Sequence, residues 1–140
     1  MKRRRMTEIL IEGNPELAER LASEIRHHYP VRELVAPRQG LTMIKMRETA
    51  KQSLFYLGEV LVTEAKVEIG DHIGVGIVAG VREELAGNLA VIDAACRAGL
   101  SETAGWTAML EAEEIRLEDR KRRELAALEK TKVQFDTMEE

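Results

Sequence analysis

The chain is 140 residues long, with 44% hydrophobic and 33% charged residues and a formal net charge of -4 at pH 7. These totals predict one domain, residues 1–140, with a real hydrophobic core, and they argue against a chain built to bind polyanions. Neither the run of about 20 apolar residues that spans a membrane nor the apolar stretch of a secretory signal is present, so a cytoplasmic protein is expected.

The single cysteine restricts the chemistry that the chain can hold by itself. Cys96 cannot form a disulfide within the chain or a paired-cysteine metal site. It also cannot hold an iron–sulfur cluster alone, because such clusters take several thiolates. Since Cys96 falls in the apolar stripe of a predicted helix, we interpret it as a small core residue.

Two N-terminal helices are predicted within residues 1–29. The first is Arg4–Glu12. The second begins with Asn14 as its cap and Pro15 at its first position, and it ends before Pro30, which disfavours helical geometry in the preceding residue. Its one-sided apolar stripe comprises Leu17, Leu21 and Ile25.

Two polar features of this region are interpreted as structural. The basic run Lys2–Arg5 is typical of a solvated terminus or a first helical turn. His27 and His28 fall in the last turn of the second helix, where positive charge complements the helix dipole. Adjacent helical residues point in different directions, so no shared metal ion is predicted there.

Residues 31–80 predict an antiparallel meander of about four to five strands, and hence an α+β fold. The segments follow one another through short connections without helical crossovers, as antiparallel strands do. Gln39–Gly40 and Gly70–Asp71 are predicted tight turns, and Glu48–Gln52 is a predicted polar connection. Gly58 is expected to mark a bulge or bend within a long strand. The predicted strands are Val31–Pro37, Leu41–Arg47, Ser53–Ile69 and Ile73–Ala79.

Alternation along the last strand predicts which of its faces lies against the core. The face predicted to be internal comprises Ile73, Val75, Ile77 and Ala79. The opposite face carries Gly74, Gly76 and Gly80. A face without side chains favours close approach by a helix or by another subunit.

Helices are predicted again within residues 81–132. Arg82–Arg97 carries an apolar stripe and is expected to pack on the sheet. A long helix from about Ala104 to Lys130 has a heavily charged second half, so it is expected to project into solvent or to lie on another chain. In the tail, residues 133–140, the alternation of Val133–Phe135 predicts a short strand of the kind that adds to a sheet. The thin apolar seam of the long helix comprises Leu117, Leu125 and Leu128.

One short motif matches the dinucleotide pattern G-x-G-x-x-G/A, but its context is wrong. Gly74 to Ala79 lies inside a predicted strand, whereas the pattern requires a strand before the first glycine and a helix opening at the second. A phosphate at the start of the next helix, near Gly80 and Arg82, is disfavoured by the two glutamates of its first turn. No cofactor-binding residue is predicted.

Arg47, Glu59 and His72 are weak catalytic candidates. Glu59 lies beside apolar residues and is interpreted first as half of an ion pair with Arg47, and only second as a general acid or base. His72 follows a glycine and an aspartate that are more simply turn formers. Because the sequence contains no Ser-His-Asp order, zinc signature or P-loop, no self-contained catalytic site and no metal ligand are expected.

Five blocks of sequence carry a family resemblance: GNPELAERLA, GLTMIKMRETAKQSLFYLGEVLVTEAKVEI, GVGIVAG, ELAGNLAVIDAAC and VQFDTM. In content and spacing they resemble the PhnG family, one component of the bacterial phosphonate carbon–phosphorus lyase system. The resemblance covers most of the chain and is densest from Gly40 to Cys96. It departs at Val81 and Arg82, where an acidic residue is common in the family, so no ligand role is expected there.

The resemblance implies an accessory or structural subunit of the carbon–phosphorus lyase core complex, which serves organic phosphonate catabolism and phosphorus assimilation. With the H, I and L subunits, such a chain is linked to transfer of the ribose 5-triphosphate moiety of ATP to methylphosphonate. ATP would be a substrate of the complex, the nucleosidase chemistry would belong to the I subunit, and the iron–sulfur cluster and S-adenosylmethionine would belong to another subunit. The expected partners are the I subunit above all, with the H and J subunits, and a homo-oligomer is expected when the chain is isolated.

Two other functions stay open on the residues alone. A self-contained small-molecule enzyme or ligand-binding domain would use Glu59, Arg47 and His72, and would bind or consume ATP or methylphosphonate unaided. A nucleic-acid adaptor would use the basic ends and bind in a salt-dependent manner, although the Arg116–Arg123 cluster lacks stacking aromatic residues. Neither nucleic acid nor a membrane is an expected partner.

Overall fold

A computed structural model describes the backbone of residues 1–47 and 54–138, and the side chains of residues 1–45 and 58–132. Two helices precede an antiparallel sheet, and two more follow it, joined by a short 3-10 helix. The predicted α+β class is confirmed, with three strands in the described residues in place of four to five. The elements are α1 Arg3–Glu12, α2 Pro15–His28, β1 Arg32–Arg47, β2 Leu54–Ile69, β3 His72–Ala79, α3 Glu83–Ala98, the 3-10 helix Ser101–Gly105 and α4 Trp106–Met138.

The helix ends follow local signals in the sequence. The Asn14 side chain accepts a hydrogen bond from the Glu16 backbone N–H at 3.0 Å, and Pro15 opens α2. Gly99 ends α3 in the left-handed region, with φ at 65°, a conformation that glycine adopts without steric cost. Both helix boundaries are thus determined by residues next to them in sequence.

The two strands predicted before residue 48 are one continuous strand. The predicted turn at Gln39–Gly40 is wrong, because these residues lie within β1 and pair with Thr63 and Val62 of β2. β2 is 16 residues long, and β1 pairs with it in antiparallel orientation along its length. Register shifts near Val35 absorb the irregular start of β1. The predicted connection Glu48–Gln52 lies outside the described residues.

The predicted bulge at Gly58 is confirmed. Gly58 pairs with Ile44 while the next β1 residue, Lys45, pairs with Tyr56, so β2 carries one extra residue at this point. Its φ of 148° is a backbone conformation that L side chains rarely adopt. The extra residue lies in β2, so β1 continues without interruption opposite the bulge.

The prediction that Ile73, Val75, Ile77 and Ala79 form the internal face of β3 is wrong, since none of the four is buried. Gly74, Gly76 and Val78 are the buried positions, whereas Ile73 and Ile77 are 47% and 51% exposed. Helix α3 lies directly on the glycine face: a methyl group added to Gly76 would overlap the backbone oxygen of Ala86 and lie 2.7 Å from the backbone N of Ala90. The predicted close approach to the glycines therefore occurs, and the element that approaches them is α3 of the same chain.

The core lies between the sheet and the helices. From β2 it receives the alternating residues Thr63, Ala65, Val67 and Ile69, as the sequence pattern predicts. Thr63 is fully buried, and its hydroxyl donates to the Gly80 carbonyl at 2.6 Å and accepts from the Arg82 N–H at 3.1 Å. The largest fully buried side chains from the helices include Ile9, Leu10, Leu21, Ile25, Trp106 and Leu110.

Helix α4 is longer than predicted. It runs from Trp106 to Met138, so the short strand predicted at Val133–Phe135 is wrong. The sequence contains no glycine or proline between those two ends, and a helix continues until a residue stops it. Although α4 is long, no helix of the described residues is apolar enough to cross a membrane.

Candidate interaction surface

The structure separates two of the three weak catalytic candidates, Glu59 and His72. Glu59 pairs with Met43, and His72 pairs with Ile69 at the other end of β2. Positions 59 and 69 are ten residues apart on one strand, which corresponds to about 33 Å. Both side chains are exposed, and the side chain of Arg47 lies outside the described residues. Glu59 and His72 therefore do not line a shared cleft.

The glycine motif of β3 has no room for a nucleotide. A methyl group added to Gly74 would overlap the Ala90 carbonyl oxygen and lie 2.7 Å from the Ala94 side chain. At the start of α3, the Arg82 N–H is already bonded to Thr63, and Gln39 donates to the Glu83 carboxylate at 3.1 Å. Protein groups thus occupy both places where the sequence raised the possibility of a bound phosphate.

A cleft of about 310 Å³ lies between α2, β1, β2 and the first turns of α3. Arg26 spans it and donates to the buried Asn88 side chain at 2.8 Å. Sequence reasoning missed this cleft because its lining comes from four separate elements. Its acidic lining comprises Glu19, Glu33, Glu83 and Glu84.

Asp93 of α3 forms hydrogen bonds and ion pairs that connect α3 with α1 and with β3 at the edge of the sheet. Its carboxylate accepts from the backbone N–H of Val75 at 3.0 Å, from Arg97 at 3.1 Å and from Arg3 at 2.5 Å. Asp93 therefore binds the rim of the sheet formed by β3.

The thiol of Cys96 lies close to this cluster. Its sulfur packs 3.8 Å from the sulfur of Met6, and burial, followed by the charge of Asp93, raises the pKa of the thiol. A raised pKa opposes nucleophilic reactivity, in agreement with the interpretation of Cys96 as a packing residue.

The two histidines at the end of α2 are held by local contacts. His28 Nδ1 lies 2.8 Å from the Glu24 carbonyl oxygen, and the rings of His27 and His28 meet edge to face with centroids 6.0 Å apart. Within the described part of the chain, no three His, Cys, Asp or Glu side chains are placed to hold a metal ion.

The clearest exposed apolar surface lies on an extension of the sheet. We call this the arm and define it as residues 39–47 of β1 paired with 54–62 of β2. Strand β3 ends at Ala79, opposite Val62, so the rest of the arm is two-stranded in the part of the chain that the structure describes. Leu41 is 68% and Met43 is 56% exposed, and Ile44 and Leu61 are also exposed. A two-stranded ribbon is only marginally stable in water, so we expect the arm to be more stable when other protein surface packs against its exposed side chains.

The second half of α4 is the other element that extends beyond the core. Its first half is held by Trp106, Leu110 and Leu117, which are buried, and by salt bridges to α1 such as Arg5–Glu114 and Lys121–Glu12. From residue 122 to residue 132 every side chain is exposed. Leu125 and Leu128 belong to this exposed stretch and do not join the core.

Comparison with known proteins agrees with the family resemblance of the sequence. The sequence model of one family, described as phosphonate metabolism protein PhnG, matches residues 1–139. No curated protein matches the chain.

Proposed function

The chain belongs to the PhnG family of phosphonate metabolism proteins, and from that premise we propose that it is an accessory subunit of the carbon–phosphorus lyase core complex. Together with the H, I and L subunits, it would support transfer of the ribose 5-triphosphate moiety of ATP to methylphosphonate, with displacement of adenine. The observation that carries this proposal is the family match over essentially the whole chain.

The surface of the molecule supports a role through binding rather than through its own catalysis. The arm and the second half of α4 both extend beyond the packed core and expose apolar side chains. Exposed apolar patches of this kind mark protein–protein contacts. The chain is proposed to hold no cofactor itself, and ATP, the iron–sulfur cluster and S-adenosylmethionine would be bound by other parts of the system.

Omission of the chain from a reconstituted system tests the proposal. The H, I and L subunits would be incubated with ATP and methylphosphonate, with and without this chain, and released adenine would be measured. We expect adenine release only in the complete mixture, and stable co-purification of the chain with the I subunit. Equal release in its absence, together with no binding to the I subunit, would contradict the proposal.

Calorimetry on the isolated chain distinguishes the accessory role from a self-contained enzyme. We expect no heat of binding and no turnover with ATP or methylphosphonate. Consumption of either compound by the chain alone would instead favour an autonomous active site, despite the distance between Glu59 and His72.

A further inference from the structure

The cleft between α2, β1, β2 and α3 combines an apolar floor with a charged rim. Its volume of about 310 Å³ lies at the lower end of the range for small-molecule sites, roughly 300–1,000 Å³. Ala65 and Val67 of β2, which are 1% and 5% exposed, form the floor together with Val35 and Pro37 of β1. The four glutamates of the lining are exposed and come from α2, β1 and the start of α3. The cleft thus presents apolar and charged groups to one small ligand.

Arg26 supplies the positive charge of this cleft, and a neutral side chain holds it in place. Its guanidinium donates to the Asn88 amide oxygen at 2.8 Å, and no carboxylate of the described residues forms an ion pair with it. The Arg26 Nη2 and the Pro37 Cγ both lie 3.7 Å from the position of a Cβ added to Gly87, so the guanidinium lies against α3 beside the apolar floor. Because a guanidinium has five N–H donors, Arg26 retains donors for an acceptor in the cleft.

Asn88 provides a second free donor. The residue is 8% exposed and lines the cleft. Its amide oxygen accepts from Arg26, whereas its amide NH2 group forms no hydrogen bond with residues 1–45 or 58–132. No fully buried side-chain nitrogen or oxygen in those ranges lacks a partner, so this NH2 group is accessible, and the cleft is the space that Asn88 lines. Polar groups of buried residues are normally paired, so the free donor indicates a ligand oxygen.

The negative charges of the rim are held apart from Arg26. Gln39 donates to the Glu83 carboxylate at 3.1 Å, and the other three glutamates of the rim form no ion pair in the described part of the chain. Four carboxylates and one guanidinium leave an excess of three negative charges in the lining. This excess repels a purely anionic ligand, while a purely cationic ligand leaves the donors of Arg26 and Asn88 unused. A ligand that carries both charges satisfies both sides of the cleft.

We propose that this cleft binds a small zwitterion, an amino acid in which a short apolar chain joins a carboxylate to an ammonium group. The carboxylate accepts charge-assisted hydrogen bonds from Arg26 and from the Asn88 NH2 group. The apolar chain lies on the floor of β1 and β2, and the ammonium group donates to the glutamates of the rim. This site goes beyond the proposed function, because it belongs to the isolated chain and needs no partner subunit.

Titration with matched small molecules tests whether both charges are recognised. Amide NMR spectra of the full chain would be recorded with β-alanine, 4-aminobutanoate and 6-aminohexanoate, and with butylamine and butanoate as probes of one charge each. We expect saturable shifts of the Gly87 and Asn88 amides, and affinity for the best amino acid about 10-fold or more above that for either single-charge probe. Equal affinity for butylamine would overturn the proposal in favour of a cation site. The absence of saturable shifts with every probe would also overturn it.

Arg26→Gln tests the end of the site that binds the carboxylate. Loss of the guanidinium is expected to lower the affinity for the best amino acid by about 10-fold or more, to the level of butylamine. Arg20→Gln is the matched control, since Arg20 is an exposed arginine of the same helix outside the lining, and it is expected to bind like the parent. Urea unfolding checks that both variants are folded. Unchanged affinity in a folded Arg26→Gln variant would contradict the assigned role of Arg26.

A double variant, Glu19→Gln with Glu84→Gln, tests the end that binds the ammonium group. Its affinity for the best amino acid is expected to fall by about 10-fold or more, while its affinity for butanoate does not fall. The matched control is Glu111→Gln with Glu118→Gln, two exposed positions of α4 outside the lining. Equal losses in the two double variants would show that the overall charge of the chain, and not the rim, determines binding. Any of these failures leaves the proposed function unaffected, because the omission experiment measures adenine release without an amino acid.

Discussion

At the residue scale, the glycines of β3 determine how closely a helix can approach the sheet. Gly74 and Gly76 meet the small residues Ala86, Ala90 and Ala94 of α3, and the backbones come into direct contact. A side chain at either glycine would need the helix to move away and would separate α3 from the sheet that it covers. The pairing of glycine with alanine is therefore the local cause of the layered fold.

The first prediction concerns this contact. Gly76→Ala is expected to destabilise the chain by roughly 1–3 kcal/mol or more, because the new methyl group overlaps the helix backbone. Gly40→Ala is the control, since Gly40 also lies in a strand and has open space around its Cβ position. Urea unfolding of both variants measures the difference. Equal midpoints would contradict the close packing of α3 on β3.

Glu113 supports the second prediction, which concerns pH. Its carboxylate forms an ion pair with Arg116 and accepts from the Asn14 N–H at 3.2 Å, and these contacts hold the pKa of Glu113 below its ordinary value. A lowered folded-state pKa stabilises the fold above the unfolded-state pKa of about 4.5, and this contribution is lost as pH falls through the folded-state value.

Unfolding of Glu113→Gln across the acid range tests this contribution. The variant is expected to be less stable than the parent at pH 7 and to approach it as pH falls through the folded-state pKa of Glu113, because the parent carboxylate then becomes protonated and loses the same interactions. Glu111→Gln, at an exposed position of the same helix, is expected to follow the parent throughout. A constant gap between Glu113→Gln and the parent at all pH values would show that ionisation of Glu113 is not the cause.

At the element scale, the two halves of α4 are stabilised by different interactions. With 33 residues, the helix extends about 50 Å, which exceeds what the core can cover. The first half is anchored by buried Trp106, Leu110 and Leu117, whereas the second half relies on its own backbone and on exposed ion pairs such as Arg122–Asp119. Exposed ion pairs contribute little, so the second half gains most from contact with another chain.

Matched leucine truncations test this division of α4. Leu110→Ala is expected to cost roughly 2–5 kcal/mol, since the side chain is fully buried. Leu128→Ala is expected to change the stability of the isolated chain by less than about 0.5 kcal/mol, because 65% of Leu128 is exposed. Chemical denaturation measures both. A large loss for Leu128→Ala would mean that the second half of α4 packs within the isolated protein.

At the scale of the whole molecule, the sheet serves two purposes along its length. The end near β3 is covered by α3 and belongs to the core, while the arm continues past the helices with apolar side chains exposed. Stability and binding are therefore expected to reside in different parts of the same strands. Within the part of the chain that the structure describes, the arm and the second half of α4 extend beyond the packed core, and we propose that they contact its partners.

Shortening the arm tests this separation. Thr42 and Val60 are directly paired, so an Asn-Gly turn can join them and replace residues 43–59. The shortened chain is expected to keep its helical circular dichroism signal and a cooperative unfolding transition, because the deleted part contributes none of the identified core residues. Binding to the I subunit, measured by co-purification, is expected to be lost. Loss of cooperative folding would contradict the assignment of the arm to binding alone.

Local sequence signals were sufficient where neighbouring residues determine the conformation. The Asn14 cap, the Gly99 helix end, the Gly58 bulge and the alternation of β2 all follow from residue type and short spacing, and together they specify the α+β class. The family resemblance, which the sequence model of the PhnG family confirms, also rests on the order of residues alone.

Only the tertiary structure decided which face of β3 is internal, because hydrophobicity favours the isoleucines while the fit of α3 requires the glycines. It also joined two predicted strands into one, since pairing with β2 overrides the turn tendency of Gln39–Gly40. The separation of Glu59 from His72 and the exposed edge of the arm depend on strand register, a long-range property that no local pattern encodes.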